Sequence, residues 1–310
     1  MSNLNVVYSP HIIESPNTRK IMLYVLIALA PAMVIGTYEF GPKALILTAF
    51  CAVCCVVFEW LFNKITKKED TIGDLSAVVT GVLLAFNLPS NFPLWMAAIG
   101  CFVAIFIAKN LFGGIGQNFV NPALTGRIVL FVSFATEMTT WPLPRGAANF
   151  VDGKTGPTAL KLMGEGGKVP SNMDLFIGHV GGCLGEVSAA ALLLGGAFLV
   201  WKKIISPITP LVYMGTVAAL VLIAGENPIT HLCAGGLMLG AIFMATDYAT
   251  TPTDWRGKII FGVGCGLLTV AIRLFGSYPE GVSFSIFFMN IITPFIDDWT
   301  NRKFCGGGLQ

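Results

Sequence analysis

The sequence predicts an all-α, polytopic membrane protein of about ten transmembrane helices. Three observations carry that prediction. Charged residues make up only 12% of the chain, far short of the roughly 25% that a water-facing surface calls for. Hydrophobic residues reach 55% and the mean hydropathy is +0.75, which leaves too little polar surface for a solvated exterior. Apolar runs recur along the whole chain, most of them close to the roughly 20 residues needed to cross the hydrocarbon core. The partner implied is membrane lipid. Nucleic acid is excluded, because the net charge is +2 and no basic run is long.

Residues 1–19 are polar, end next to Arg19 and Lys20, and carry no cleavable leader pattern, so a retained cytoplasmic segment is expected there. Apolar runs follow at 20–38, 44–64, 73–88, 92–109 and 121–136, a first membrane half spanning 20–136. A polar loop, 137–183, separates it from a second half, 184–297, with runs at 184–202, 208–224, 229–246, 257–276 and 281–297; residues 298–310 form a tail. The third, fifth and tenth runs are short, and broken helices are tolerated at membrane depth where they line a cavity or pack against protein.

Lysine and arginine collect on the cytoplasmic side of a membrane protein. With the N-terminus inside, Arg19, Lys20, Lys64, Lys67, Lys68, Lys109, Lys202, Lys203, Arg256, Lys258, Arg302 and Lys303 fall inside. Only Lys43, Arg145, Lys154, Lys161 and Lys168 fall outside. Both termini are therefore expected in the cytoplasm, with loop 137–183 beyond the membrane of a bacterial cell.

Two internal likenesses stand out. GDLSAVVTGVLLAF (73–86) resembles GEVSAAALLLGGAF (185–198), and AIFIA (104–108) resembles AIFMA (241–245). The first pair runs antiparallel in this topology and the second parallel, so one simple duplication does not produce both. Two inverted five-helix halves and chance similarity of small-residue helices both remain open.

A carboxylate near the bilayer centre costs about 2.5–3.5 kcal/mol, which singles out Glu59, Asp74, Glu186 and Asp247, with Arg127 and Arg273 as candidate partners. Asp74 and Glu186 also suit helix capping. Asp247 ends an apolar run, a poor place for an anion by the helix dipole, so binding and a plain interfacial role compete there. The cysteines form no ligand-spaced set, and Cys51, Cys54 and Cys55 read as small hydrophobes inside an apolar run, so no metal site is expected. His179 and His231 have no visible partner in the sequence, and no catalytic side chain is assigned.

Three polar islands interrupt the apolar pattern. NLFGGIGQNFVNPALTGR (110–127) combines close-approach glycines with Asn118, Asn121 and Arg127, and Pro122 suits a first helical turn. GSYPEGVSFSIFFMN (276–290) places Tyr278 and Glu280 at an interface, where a tyrosine usually only anchors. VDGKTGPTAL (151–160) packs two threonines into a Gly- and Pro-rich turn of the outer loop, and by itself reads as an ordinary loop.

Taken together, SPHI (9–12), SAVVTGVLLAFNLP (76–89), GGIGQNFVNPALTGR (113–127), MATDYATTP (244–252) and GSYPEGVSFSIFFMN (276–290) resemble the RnfD family, the D subunits of the Rnf complex, which is the ion-translocating ferredoxin:NAD+ oxidoreductase. More distantly they resemble the B subunit of the Na+-translocating NADH:quinone reductase. The resemblance implies a ten-helix fold like that of urea transporters. It also implies an FMN joined covalently through its phosphate to a threonine. The family's attachment pattern, Ser or Thr followed by Gly-Ala-Thr, matches Thr155-Gly156-Pro157-Thr158 with Pro157 in place of alanine. The carried-over site is thus Thr158, with Thr155, Gly156 and Asp152 around it. Proline fixes its own φ and restricts the residue before it.

The resemblance implies that electrons would reach that flavin from the G subunit and pass towards the C subunit, within a complex that also contains subunits A, B and E. Their flow would be coupled to Na+ or H+ translocation. A second flavin, a non-covalent riboflavin, or an ion would sit on the cytoplasmic side among Asn118, Asn121, Arg127, Thr246, Asp247 and Thr250, which the topology puts at one membrane face. The rival class is a solute channel with no redox cofactor.

Overall fold

The computed structural model describes residues 18–68, 71–144, 155–164, 167, 170–276 and 281–304. Two long helices, α1 (Thr18–Phe40) and α2 (Pro42–Thr66), meet at Gly41, whose φ of 80° makes the tight reversal that Pro42 then converts into a first helical turn. A 3₁₀ turn at Ile72–Asp74 leads into α3 (Ser76–Phe86). Asp74 does cap there: its Oδ1 accepts from the Ser76 N–H at 2.8 Å and the Ser76 hydroxyl at 2.6 Å. Helix α4 (Leu94–Phe102) runs on as a π-helix over Val103–Asn110, and α5 (Pro122–Ser133) and the short α6 (Ala135–Met138) follow.

The outer-loop region begins with an antiparallel pair of very short strands. β1 (Trp141–Pro142) pairs with β2 (Thr155–Gly156), Trp141 opposite Gly156 and Pro142 opposite Thr155. Two short helices, α7 (Ala159–Gly164) and α8 (Asn172–Ile177), come next. Helices α9 (Ala189–Trp201), α10 (Ile208–Ile223) and α11 (Pro228–Cys233) lead to α12 (Leu237–Leu239), which continues as a second π-helix over Gly240–Met244. Helices α13 (Trp255–Phe275) and α14 (Val282–Phe304) complete the chain. The AIFIA and AIFMA likeness thus falls on the two π-helical segments, a geometry often found at functional sites.

The fold is all-α and polytopic in character, but the expected count of ten spans is corrected. By length and composition, three described helices can each cross a membrane alone: α1, α2 and α13. Further apolar helices are shorter, each for an identifiable reason. The run at 73–88 helps form only α3, because Leu75 takes φ 65° at its start and Asn87 ends it. The run at 121–136 stops at Ser133. The run at 184–202 gives up its first turn: Leu184 and Gly185 donate instead to the carbonyls of Leu88 (3.3 Å) and Phe86 (2.9 Å). The run at 229–246 breaks between α11 and α12, where Gly235 (φ 67°) and Gly236 (φ 69°) reverse the backbone. Ser188, not Glu186, caps α9, accepting from the Ala191 N–H at 3.3 Å.

Helix α1 packs on α9, α2 on α3, α10 on α13, and α13 on α14. The approaches are close because small residues face them: a Cβ on Gly195 would lie 2.1 Å from the Ala28 carbonyl oxygen. The core between these helices includes Leu29, Leu84, Phe86, Leu124, Tyr213 and Phe261, all fully buried. Apolar side chains such as Val34, Val132, Leu194, Ile223 and Phe275 stay exposed, as lipid-facing surface requires.

Candidate functional sites at the two ends of the fold

Among the cavities lined by described residues, two of very different size flank a buried polar centre. The larger, about 260 Å³, lies where the start of α1, the start of α3, the end of the first π-helix and the end of the second meet. Its walls are apolar, with Val25, Val79, Leu83, Leu199 and Phe243. Its rim is polar: Ser76, Thr80, Lys109, Asn118, Asn121, Thr246 and Asp247. An apolar slot with a few placed polar groups is the ordinary form of a small-molecule site, and this one is close to the lower size limit of about 300 Å³.

Four of the six residues expected to share a site therefore line one cavity, and Thr250 stands beside them, its hydroxyl 3.3 Å from the Asp247 carboxylate. Asn121 caps α5 through the Leu124 N–H (3.3 Å) and donates to the Met244 carbonyl (3.4 Å), tying the two polar islands together. Asp247 lies just past the end of the run at 229–246. Burial pushes its carboxyl above the usual range, against the Thr250 hydroxyl, the Ala249 and Tyr248 backbone and the Asn118 side chain, which favour the charged form.

Arg127 does not join this group. It points to the centre of the fold, where Nη1 donates to Asn87 Oδ1 and Ser283 Oγ, both at 2.8 Å. Its Nη2 stands 3.8 Å from Glu186 Oε1 and 3.7 Å from Cys183 Sγ. Arg273, the other candidate partner for a carboxylate, reaches backbone. It donates to the carbonyls of His231 (2.6 Å), Ala234 (2.9 Å) and Gly235 (3.3 Å), supplying the partners that the break between α11 and α12 lacks.

Sequence reasoning missed Lys109 as a site residue. Its ammonium, on the cavity wall, is 2.9 and 3.0 Å from the two Glu59 oxygens and 2.5 Å from Ser76 Oγ. Thr71 donates to the same carboxylate at 2.7 Å. A carboxylate inside one apolar run and a lysine closing another on the same membrane side was the signal available. The two histidines also have partners: His179 Nδ1 is 3.0 Å from Glu39 Oε1, and His231 Nε2 meets Glu226 Oε2.

The second site is the Thr158 turn. β2 brings Thr155 and Gly156 back against β1, and Thr158 then starts α7, its hydroxyl accepting from the Lys161 N–H at 3.3 Å. Ala159 and Leu160 pack with Leu175 and Ala234, which seats the turn on the α11–α12 break. Thr158 is partly exposed and lines the smaller cavity, about 20 Å³, with Gly181, Gly182, Glu186 and Gly235. Asp152 lies outside the described residues, as do Tyr278, Glu280 and the SPHI stretch. A hydroxyl on a seated, partly exposed turn suits attachment of a group. The cavity below holds about one water, so a flavin ring on Thr158 would have to lie outward of it.

The profile of the NQR2, RnfD, RnfE family matches residues 5–306. Similar proteins include the D subunit of the Na(+)-translocating ferredoxin:NAD(+) oxidoreductase complex of Acetobacterium woodii, 49% identical over 98% of this chain and 96% of the relative. The D subunit of the proton-translocating ferredoxin:NAD(+) oxidoreductase complex of Clostridium ljungdahlii is 43% identical over 94% of this chain and 93% of the relative. The D subunit of the ion-translocating oxidoreductase complex of Ectopseudomonas mendocina is 34% identical over 96% and 94%.

Proposed function

Because the chain belongs to the NQR2, RnfD, RnfE family, we propose that it is the flavin-bearing membrane component of an Rnf complex. In this reading it couples electron flow between reduced ferredoxin and NAD+ to translocation of Na+ or H+. Family membership makes it part of an ion-translocating oxidoreductase and a companion of other Rnf subunits. The finer reading gives it a urea-transporter-like arrangement of two inverted halves, both termini cytoplasmic, and the G subunit as electron donor.

The observation that carries the flavin reading is the position of Thr158. It is the last residue of the family's attachment pattern, and it stands on a turn fastened by β-pairing and by the packing of Leu160, with its hydroxyl partly exposed. The FMN supplies one-electron chemistry when bound; the chain tethers it, orients it and sets its surroundings. The test is a denaturing gel of the chain co-expressed with its flavin transferase. The band is expected to fluoresce, and Thr158→Ala to abolish the fluorescence; a fluorescent Thr158→Ala band would move the site, with Thr155 next.

The 260 Å³ cavity supports a second, non-covalent flavin, with Asn118 and Asp247 at its polar rim and aliphatic walls to take an aromatic ring. Asp247→Asn is expected to lower the extractable flavin while the Thr158 band persists. Undiminished extractable flavin in a well-folded Asp247→Asn protein would remove Asp247 from the site. The solute-channel reading has less behind it, because buried Asn87 and Arg127 link Leu83 of one cavity to Glu186 of the other.

A further inference from the structure

We propose that Glu186 is the acidic ligand of a small-cation site in the cavity beneath the Thr158 turn, taking one Na+ or one proton carried on water. The inference rests on the ion-translocating role of the family and not on the flavin assignment.

Glu186 is only 9% exposed, yet its Oε1 has no hydrogen-bond donor among the described residues. Buried polar atoms are nearly always satisfied, and a carboxylate oxygen left bare in a low-dielectric interior is costly. The nearest cation does not serve as a donor. Arg127 Nη2 is 3.8 Å away, beyond hydrogen-bond reach. The guanidinium is anchored by Asn87 and Ser283 at 2.8 Å each.

The surroundings keep space at the carboxylate. Gly236 presents bare backbone to it: with φ 69°, a Cβ there would lie 2.4 Å from Oε1. At Gly182 a Cβ would only touch Oε2, 3.5 Å away, an ordinary contact. The cavity that Glu186 lines is about 20 Å³, room for a single water-sized species and nothing larger. A small cation, bare or as hydronium, would supply the contact that Oε1 lacks and matches the volume. Glu59 is the internal control, since its two oxygens are filled by Lys109 and Thr71.

Carbodiimide labelling of the intact detergent-solubilised complex, read by mass spectrometry of the Glu186 peptide, tests the site. Na+ is expected to suppress labelling severalfold against choline at equal ionic strength. If the cation is a proton, Na+ has no effect and Glu186 labels severalfold more than the paired Glu59 in the same sample. Labelling that is absent, or that neither responds to Na+ nor exceeds that of Glu59, overturns the proposal and leaves Glu186 a structural neighbour of Arg127. Glu186→Gln must lose the signal; a signal that persists in it also overturns the proposal. In-gel flavin fluorescence is read on the same sample. Its absence would sink the Thr158 assignment while leaving the labelling result intact.

Discussion

Two buried ion pairs among the described residues are built differently. Glu59 and Lys109 meet at 2.9 and 3.0 Å, with Thr71 and Ser76 taking up remaining hydrogen-bonding capacity. Glu186 and Arg127 face each other at 3.8 Å, and the arginine is bonded to neutral groups instead. The first pair is closed: each charge answers the other, and it fastens α2 to the end of the first π-helix and the start of α3. The second is open: the arginine would hold its place without the glutamate, which leaves the glutamate's oxygen available. Both pairs are buried, so the number of donors reaching the carboxylate separates a structural clamp from a carboxylate with an unfilled oxygen.

The largest effect should come from breaking the closed pair. Lys109→Met strands Glu59 in the interior and is expected to cost about 3–5 kcal/mol, read as a lowered Tm of the solubilised protein. Replacing both partners, Glu59→Met with Lys109→Met, should recover much of that loss, because no uncompensated charge then remains. If the double variant is as unstable as the single one, the pair is not the clamp described here. A smaller effect is expected at the open pair. Glu186→Gln keeps the shape and removes no hydrogen bond at Oε1, so its cost should stay under about 1 kcal/mol. A loss at Glu186 equal to that of Glu59→Gln would erase the distinction between the two.

Much of this was legible in the chain itself. Composition fixes the solvent: with 12% charged residues, the surface has to be lipid-facing. Apolar runs at 20–38, 44–64 and 257–276 became α1, α2 and α13 nearly as drawn, because a long uninterrupted run satisfies its own backbone within one helix. Asn121 before Pro122 marked the start of α5, since cap and first-turn chemistry act within a few residues. Counting spans grouped Asn118, Asn121, Thr246 and Asp247 at one expected face, and those residues line one cavity.

What the chain could not disclose depends on partners distant in sequence. The run at 229–246 looks continuous, yet it breaks, because Arg273 reaches in from α13 to satisfy the carbonyls that the break frees. The run at 184–202 loses its first turn to the backbone of Phe86 and Leu88. Arg127 shares α5 with the cap residue Asn121, its expected companion, yet it turns to Asn87 and Glu186 rather than to Asp247. Sequence determined which segments are apolar, where helices can start and which costly charges must find partners. Only the tertiary structure decided which partners they find, because in a water-poor interior each buried polar group takes whichever donor or acceptor the packing of other helices brings within about 3 Å.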